Sequence, residues 1–157
     1  CLKIEGRTKS HYYTARTTQA YRKAIDQAVA GKPLDPSLIG QLENLAHRGY
    51  TDGFLQRHHS EDHQNYITGA SQSHKQEFVG EAMKIEDGWI TVDVKNKFAV
   101  GDRLEFILPS GQNREVILAE MLDSKGNHIE VAPGNGHIVR IPAQGIDSDK
   151  ILICRFL

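Results

Sequence analysis

From Gln76 to Leu157 the chain is a succession of short apolar runs, each stopped by residues that favour a reversal. The runs are Phe78–Ile85, Trp89–Val94, Arg103–Leu108, Arg114–Met121, His128–Val131, His137–Ile141 and Ile151–Phe156. Between them stand Asp87-Gly88, Ser110-Gly111, Lys125-Gly126-Asn127 and Gly134-Asn135-Gly136. Asp-Gly and Asn-Gly suit tight hairpins because both residues tolerate positive φ. About seven short strands at this spacing predict a small antiparallel barrel or sandwich over 76–157, of which the barrel is adopted here. At about 80 residues such a barrel can bury a core, with little to spare.

The preceding half reads differently. Leu2 and Ile4 alternate with Lys3 and Glu5, the period of a strand, and Gly6 ends it. Thr8 or Ser10 can cap a helix over His11–Ala30, with Tyr13, Thr17, Ala20, Ala24 and Ala28 as its apolar stripe. Tyr21, Ile25 and Val29 widen that stripe, and Arg16, Arg22 and Lys23 fall on the remainder. Gly31 and Pro33 stop the helix. Asp35 caps a second helix with Pro36 at its first position, Leu38, Leu42, Leu45 and Ala46 on its buried side, and an end near Gly49. The predicted class is therefore α+β: an N-terminal strand plus two helices, then the barrel. A strand at residue 1 has no neighbour before it, which leads to the expectation that this is the C-terminal piece of a larger protein. A strand followed by a helix is half of a βαβ unit, so the preceding part is expected to be α/β. Residues 1–57 would close that domain and the polar stretch 58–75 would link it to the barrel.

Composition narrows the partners. No apolar run approaches the roughly 20 residues of a membrane span. Cys1 and Cys154 form no ligand or disulfide spacing, so a reducing cytoplasm and two plain thiols are expected. The net charge of −1 hides an asymmetry. Residues 1–75 carry ten Lys/Arg against seven Asp/Glu, and residues 76–157 nine against thirteen. The first half suits an anionic partner better than the second.

Four constellations can carry chemistry. Lys3, Glu5 and Arg7 gather at a strand end, where α/β folds place their sites. Arg7 suits a carboxylate or phosphate, and Glu5 suits proton transfer or the holding of Arg7. The same spacing equally makes an ion pair that shapes a rim. His58, His59 and His63 with Asp62 have partial metal spacing but no third ligand placed by pattern, so no metal is assigned. Tyr12, Tyr13, Arg16, Tyr21, Arg22 and Lys23, then Arg48, Tyr50 and Phe54 in a glycine-rich stretch, pair cations with stacking rings, which suits RNA, whereas Tyr13 and Tyr21 suit packing of the helix better. Lys95 and Lys97 form a basic hairpin tip, which is a turn first and a phosphate contact second.

Leu2–Ser10, Tyr12-Tyr13, Tyr21–Asp26, Arg48–Thr51 with Gly53-Phe54, Gln64–Tyr66, Phe78–Glu81 and Val94–Phe98 with Val100–Asp102 together resemble the C-terminal region of the collagenase-like peptidase family U32. The resemblance spans essentially the whole chain. It implies a catalytic β/α-barrel-like domain, here ended by residues 1–57, with an accessory β-barrel behind it. It implies prephenate-dependent 5-hydroxylation of the tRNA wobble uridine, with tRNA and the upstream catalytic domain as partners. The barrel would present RNA or act as a lid. The alternative is a peptidase whose barrel covers or recruits a protein or peptide substrate. On this resemblance Glu5 and Arg7 are the catalytic candidates at the edge of the site, and Lys3, Arg48, Tyr50, Lys95 and Lys97 the substrate-binding candidates. An iron–sulfur cluster is implied for the upstream domain, with no ligand among the residues here, and the segment alone would be inactive.

Overall fold

The computed structural model describes residues 1–45, 76–148 and 150–157. The chain divides into two compact units, Cys1–His74 and Lys75–Leu157.

In the first unit, helix α1 spans His11–Val29 and helix α2 spans Ser37–Glu43. Ser10 is extended, and its hydroxyl accepts the Tyr13 N–H at 3.4 Å, which makes it the cap of α1. Gly31, at φ +66°, turns the chain out of the helix. The buried face of α1 is Tyr12, Arg16, Thr17 and Ala20. This face shares Thr17 and Ala20 with the stripe that the sequence predicts but is turned by roughly 55° toward Tyr12 and Arg16. Tyr13 is half-buried, Tyr21 and Val29 are exposed, and Arg16 is inside rather than on the solvent side. The Tyr13 row continues in Ala and Thr, whose small side chains give it little apolar weight, and the large ring of Tyr12 leads the neighbouring row. At α2 the Asp35 carboxylate accepts the Ser37 N–H at 2.9 Å. That backbone hydrogen bond holds the Asp35 carboxyl below its ordinary range.

The predicted strand Leu2–Glu5 does not form. Residues 1–6 belong to no strand, and Leu2 and Ile4 are exposed. Alternation supplies a face, but a strand also needs a partner for its N–H and C=O groups, and none of the described residues pairs with this one.

Among the described residues the second unit carries nine strands: β1 Gln76–Glu86, β2 Trp89–Val94, β3 Phe98–Ala99, β4 Arg103–Ile107, β5 Arg114–Ile117, β6 Leu122–Asp123, β7 Val131–Ala132, β8 Ile138–Pro142 and β9 Leu152–Phe156. Seven form one antiparallel sheet in the order β5-β4-β9-β1-β2-β8-β6, and β3 pairs with β7 in a second, small sheet. Two elements escape the sequence reading because each is only two residues long: β3 and β6. The sequence predicts the run His128–Val131 as a strand of the barrel. Instead His128 makes an isolated bridge to Leu122, and Val131 begins β7 in the small sheet.

The predicted barrel is not closed. β5 and β6 are the two free edges of the sheet order, which makes it a curled half-barrel. Its curvature follows from connectivity. β5 and β6 stand at opposite ends of the sheet, yet only residues 118–121 separate them in sequence. Seven flat strands would hold their edges roughly 29 Å apart, whereas five Cα–Cα steps reach at most about 19 Å. The sheet must bend for the chain to cross. Leu118 and Met121 of this crossing are buried in the core. Around them pack Val79, Ile90, Val92, Phe98, Leu104, Phe106, Val139, Ile141 and Ile153.

β1 is the strand that bends. Its pairing with β9 shifts between Phe78 and Gly80, and its pairing with β2 shifts between Ala82 and Lys84. Each irregularity is a bulge, which locally increases twist and redirects the strand. The β1–β2 hairpin closes through Asp87 (φ +51°) and Gly88 (φ +77°), as the Asp-Gly dipeptide predicts.

Candidate functional site

Lys3, Glu5 and Arg7 meet on the surface of the first unit. Arg7 Nε donates to Glu5 Oε1 at 2.9 Å, and Lys3 Nζ lies 3.5 Å from Glu5 Oε2. The Arg7 and Lys3 side chains are 86% and 83% exposed. An ion pair this open contributes at most about 1 kcal/mol, so it does little for stability. The Arg7 N–H groups not used by Glu5 can still receive a carboxylate or phosphate. Gly6 sets the turn that carries the trio. The Lys9 N–H donates to the Gly6 carbonyl at 3.0 Å, and a Cβ at Gly6 would stand 2.5 Å from Thr14 Oγ1 on α1.

Arg48 and Tyr50, like the histidines 58, 59 and 63, lie outside the described residues.

Lys95 and Lys97 part company. Lys95 Nζ is bonded to Asp93 Oδ2 at 2.8 Å, and that hydrogen bond raises its ammonium above the ordinary value. Lys97 is exposed, and no carboxylate among the described residues pairs with it. The motif residues around them form one structural junction. The Val79 carbonyl, freed by the β1 bulge, accepts the Lys95 N–H at 2.8 Å and the Asn96 N–H at 3.3 Å. The Asn96 side chain donates to the Phe78 carbonyl at 2.7 Å. Asp102 Oδ2 accepts the Ala99 N–H at 2.8 Å and lies 3.5 Å from Arg155 Nη1. Arg155 also pairs with Glu77 at 2.9 Å. Phe78–Glu81, Val94–Phe98 and Val100–Asp102 thus interlock, with Gly80 opposite Val94 in the ladder. The sequence shows these segments only as separate motifs, and it gives no hint of Glu77 and Arg155.

A buried carboxylate also went unsignalled. β4 buries residues on both faces: Leu104 and Phe106 toward the core, Glu105 and Ile107 on the other side. Glu105 Oε2 accepts from Gln76 Nε2 at 2.9 Å, and Oε1 accepts from Asn113 Nδ2 at 3.0 Å. Cys154, fully buried, has its Sγ 3.8 Å from Glu105 Oε2. Cys1 is exposed in the other unit.

Residues 74–155 match the peptidase family U32 C-terminal domain, and residues 1–65 match peptidase family U32. The chain belongs to peptidase family U32. It is 53% identical to tRNA hydroxylation protein P of Escherichia coli over 98% of its own length and 34% of that protein. It is 51% identical to tRNA hydroxylation protein P of Haemophilus influenzae, over 99% of this chain and 34% of the relative. The chain therefore spans about a third of the length of these curated relatives. The C-terminal domain of a U32 peptidase from Geobacillus thermoleovorans superposes with a TM-score of 0.47 at 25% identity, over 50% of this chain and 91% of that one. No helix among the described residues is long and apolar enough to cross a membrane.

Proposed function

We infer that the chain is the C-terminal part of a protein that acts in tRNA hydroxylation, at the 5-position of the wobble uridine. Residues 1–57 end its catalytic domain, 58–75 link, and 76–157 form an accessory module that helps present RNA. One observation carries this reading: identity of 53% over 98% of the chain to a tRNA hydroxylation protein. Glu5 and Arg7 stand at the edge of the catalytic domain, where the open Arg7 fork suits an anionic group of the substrate. tRNA and the upstream domain are the partners, an iron–sulfur cluster would belong to that upstream domain, and the cytoplasm is the compartment.

Of the accessory module's nine Lys and Arg residues, Lys84, Lys95, Arg103 and Arg155 pair with Glu86, Asp93, Glu115 and Glu77. That pairing favours a local contact with RNA over a broad one.

The test is to delete the whole gene and quantify tRNA nucleosides by mass spectrometry. Hydroxyuridine-derived nucleosides should disappear and return with the full-length gene. Unchanged nucleosides in the deletion strain would refute the reading. Cleavage of gelatin by the purified full-length protein, abolished by a point substitution, would favour the peptidase alternative.

A further inference from the structure

An open cleft of about 300 Å³ lies in the second unit between β6, β8 and the loop before β8. Its size is at the lower end of the range for small-ligand sites. Ile129, Pro133, Ile138 and Val139 supply apolar walls, and Asp123, Ser124 and His137 supply polar groups. The loop is shaped by two glycines, Gly134 at φ +135° and Gly136 at φ +87°. His137 Nδ1 lies 3.1 Å from the Gly134 carbonyl, which can only accept. The neutral ring therefore carries its proton on Nδ1 and leaves Nε2 as an acceptor. Ser124 offers a hydroxyl that can donate or accept. An apolar slot with an imidazole face, one fixed acceptor and one hydroxyl matches a neutral, planar, hydrogen-bonding ring.

The charge around the cleft adds a second observation. Lys97 and Lys125, which have no ion-pair partner among the described residues, stand on segments beside it, and the Lys125 charge acts on the Asp123 carboxylate. Lys125 follows Ser124, and the Lys97 backbone nitrogen is 3.9 Å from the position a Cβ on Gly134 would take. The Asp123 carboxylate at the rim is bonded to the Lys125 and Asn127 N–H groups and to the Asn127 amide, at 2.8, 2.9 and 3.0 Å. Its negative charge is thus partly met by donors from its own turn.

We propose that this cleft holds one unstacked base of single-stranded RNA, with His137 stacking on or accepting from the base and Lys97 and Lys125 taking the flanking phosphates. The proposal rests on the tRNA reading and names the place where the accessory module touches the strand.

The probe is a six-nucleotide oligouridine titrated into the 157-residue chain and followed by amide NMR, with inorganic phosphate as the comparison. Saturable shifts at Ile129, His137 and Ile138 are expected with oligouridine and not with phosphate. His137→Ala should weaken binding about tenfold, and Ser124→Ala severalfold with the fold intact. Lys97→Ala with Lys125→Ala should lower the slope of log K against log salt by roughly 1.4. Absence of saturable shifts at the cleft, equal shifts with phosphate alone, or binding unchanged in all these variants would overturn the site. Oligouridine binding combined with unchanged nucleosides in the deletion strain would leave the site standing and refute only the tRNA hydroxylation reading.

Discussion

Gly80 shows how one residue can be fixed by its neighbours across a sheet. A Cβ there would stand 2.6 Å from Val92 Cγ1 and 3.0 Å from the Asp93 carbonyl. Gly80→Ala should therefore destabilise the second unit by about 1–3 kcal/mol, seen as a lower urea midpoint; an unchanged midpoint would show that β1 and β2 can move apart at little cost. Asp123 acts through hydrogen bonding. Asn127, through its side chain and then its backbone N–H, holds the Asp123 carboxyl below its ordinary value. A depressed folded-state pKa means that the turn's stabilisation is fully present above about pH 4 and is lost as pH falls through the folded value. Amide exchange at Lys125 and Asn127 should accelerate on acidification, and Asp123→Asn should abolish that pH dependence. For Glu5 and Arg7 the exposure decides the expectation. Glu5→Gln or Arg7→Ala should leave thermal stability within about 0.5 kcal/mol and reduce tRNA hydroxylation by the full-length protein. Full activity in both variants would return the pair to a purely structural role.

Elements differ in what makes them form. Helix α1 is set locally, by the Ser10 hydroxyl at one end and Gly31 at the other. The β1–β2 hairpin is equally local, because its two-residue loop needs positive φ at both positions. Gly88→Ala should cost about 1–2 kcal/mol, since an L-residue there is strained, even though a Cβ would meet nothing within 4 Å. Gly40→Ala makes the contrast. It sits inside α2, also with open space at its Cβ position, and should stabilise by up to about 1 kcal/mol. Circular dichroism melts of the two variants should move in opposite directions. β3, β6 and β7 belong to another class. Each is two residues long and exists only because a distant segment offers its backbone.

For the whole molecule, the core described above lies entirely within residues 79–153, and the sheet that encloses it runs from Gln76 to Phe156. The 76–157 segment should fold alone and unfold cooperatively in urea; a broad, non-cooperative transition would mean that its core is incomplete. The composition of the sequence already shows this segment to be acidic. The structure adds that four of its nine cations, Lys84, Lys95, Arg103 and Arg155, are paired with neighbouring carboxylates, whereas Lys97 and Lys125 have no such pair among the described residues. Lys95 and Lys97 look equivalent in the sequence, and only the position of Asp93 separates them.

Much of the architecture was legible in one dimension. The two helices, their caps, the Asp87-Gly88 hairpin and most of the long strands follow from periodicity and turn chemistry, which act over a few residues. The family also follows from motifs spread along the chain. Three things needed the tertiary structure. Leu2–Glu5 has a strand's alternation but no partner among the described residues, and pairing is not a local property. Closure of the sheet depends on which edges meet, and β5 and β6 stay apart although four residues join them. The junction of Val79, Lys95, Asn96, Asp102 and Arg155 assembles from segments far apart in sequence, and the cleft at His137 from a single stretch, Asp123–Val139, folded back on itself. The sequence by itself determined the local conformations and the family; the fold alone decided which charges are paired, which are free, and where a ligand has room.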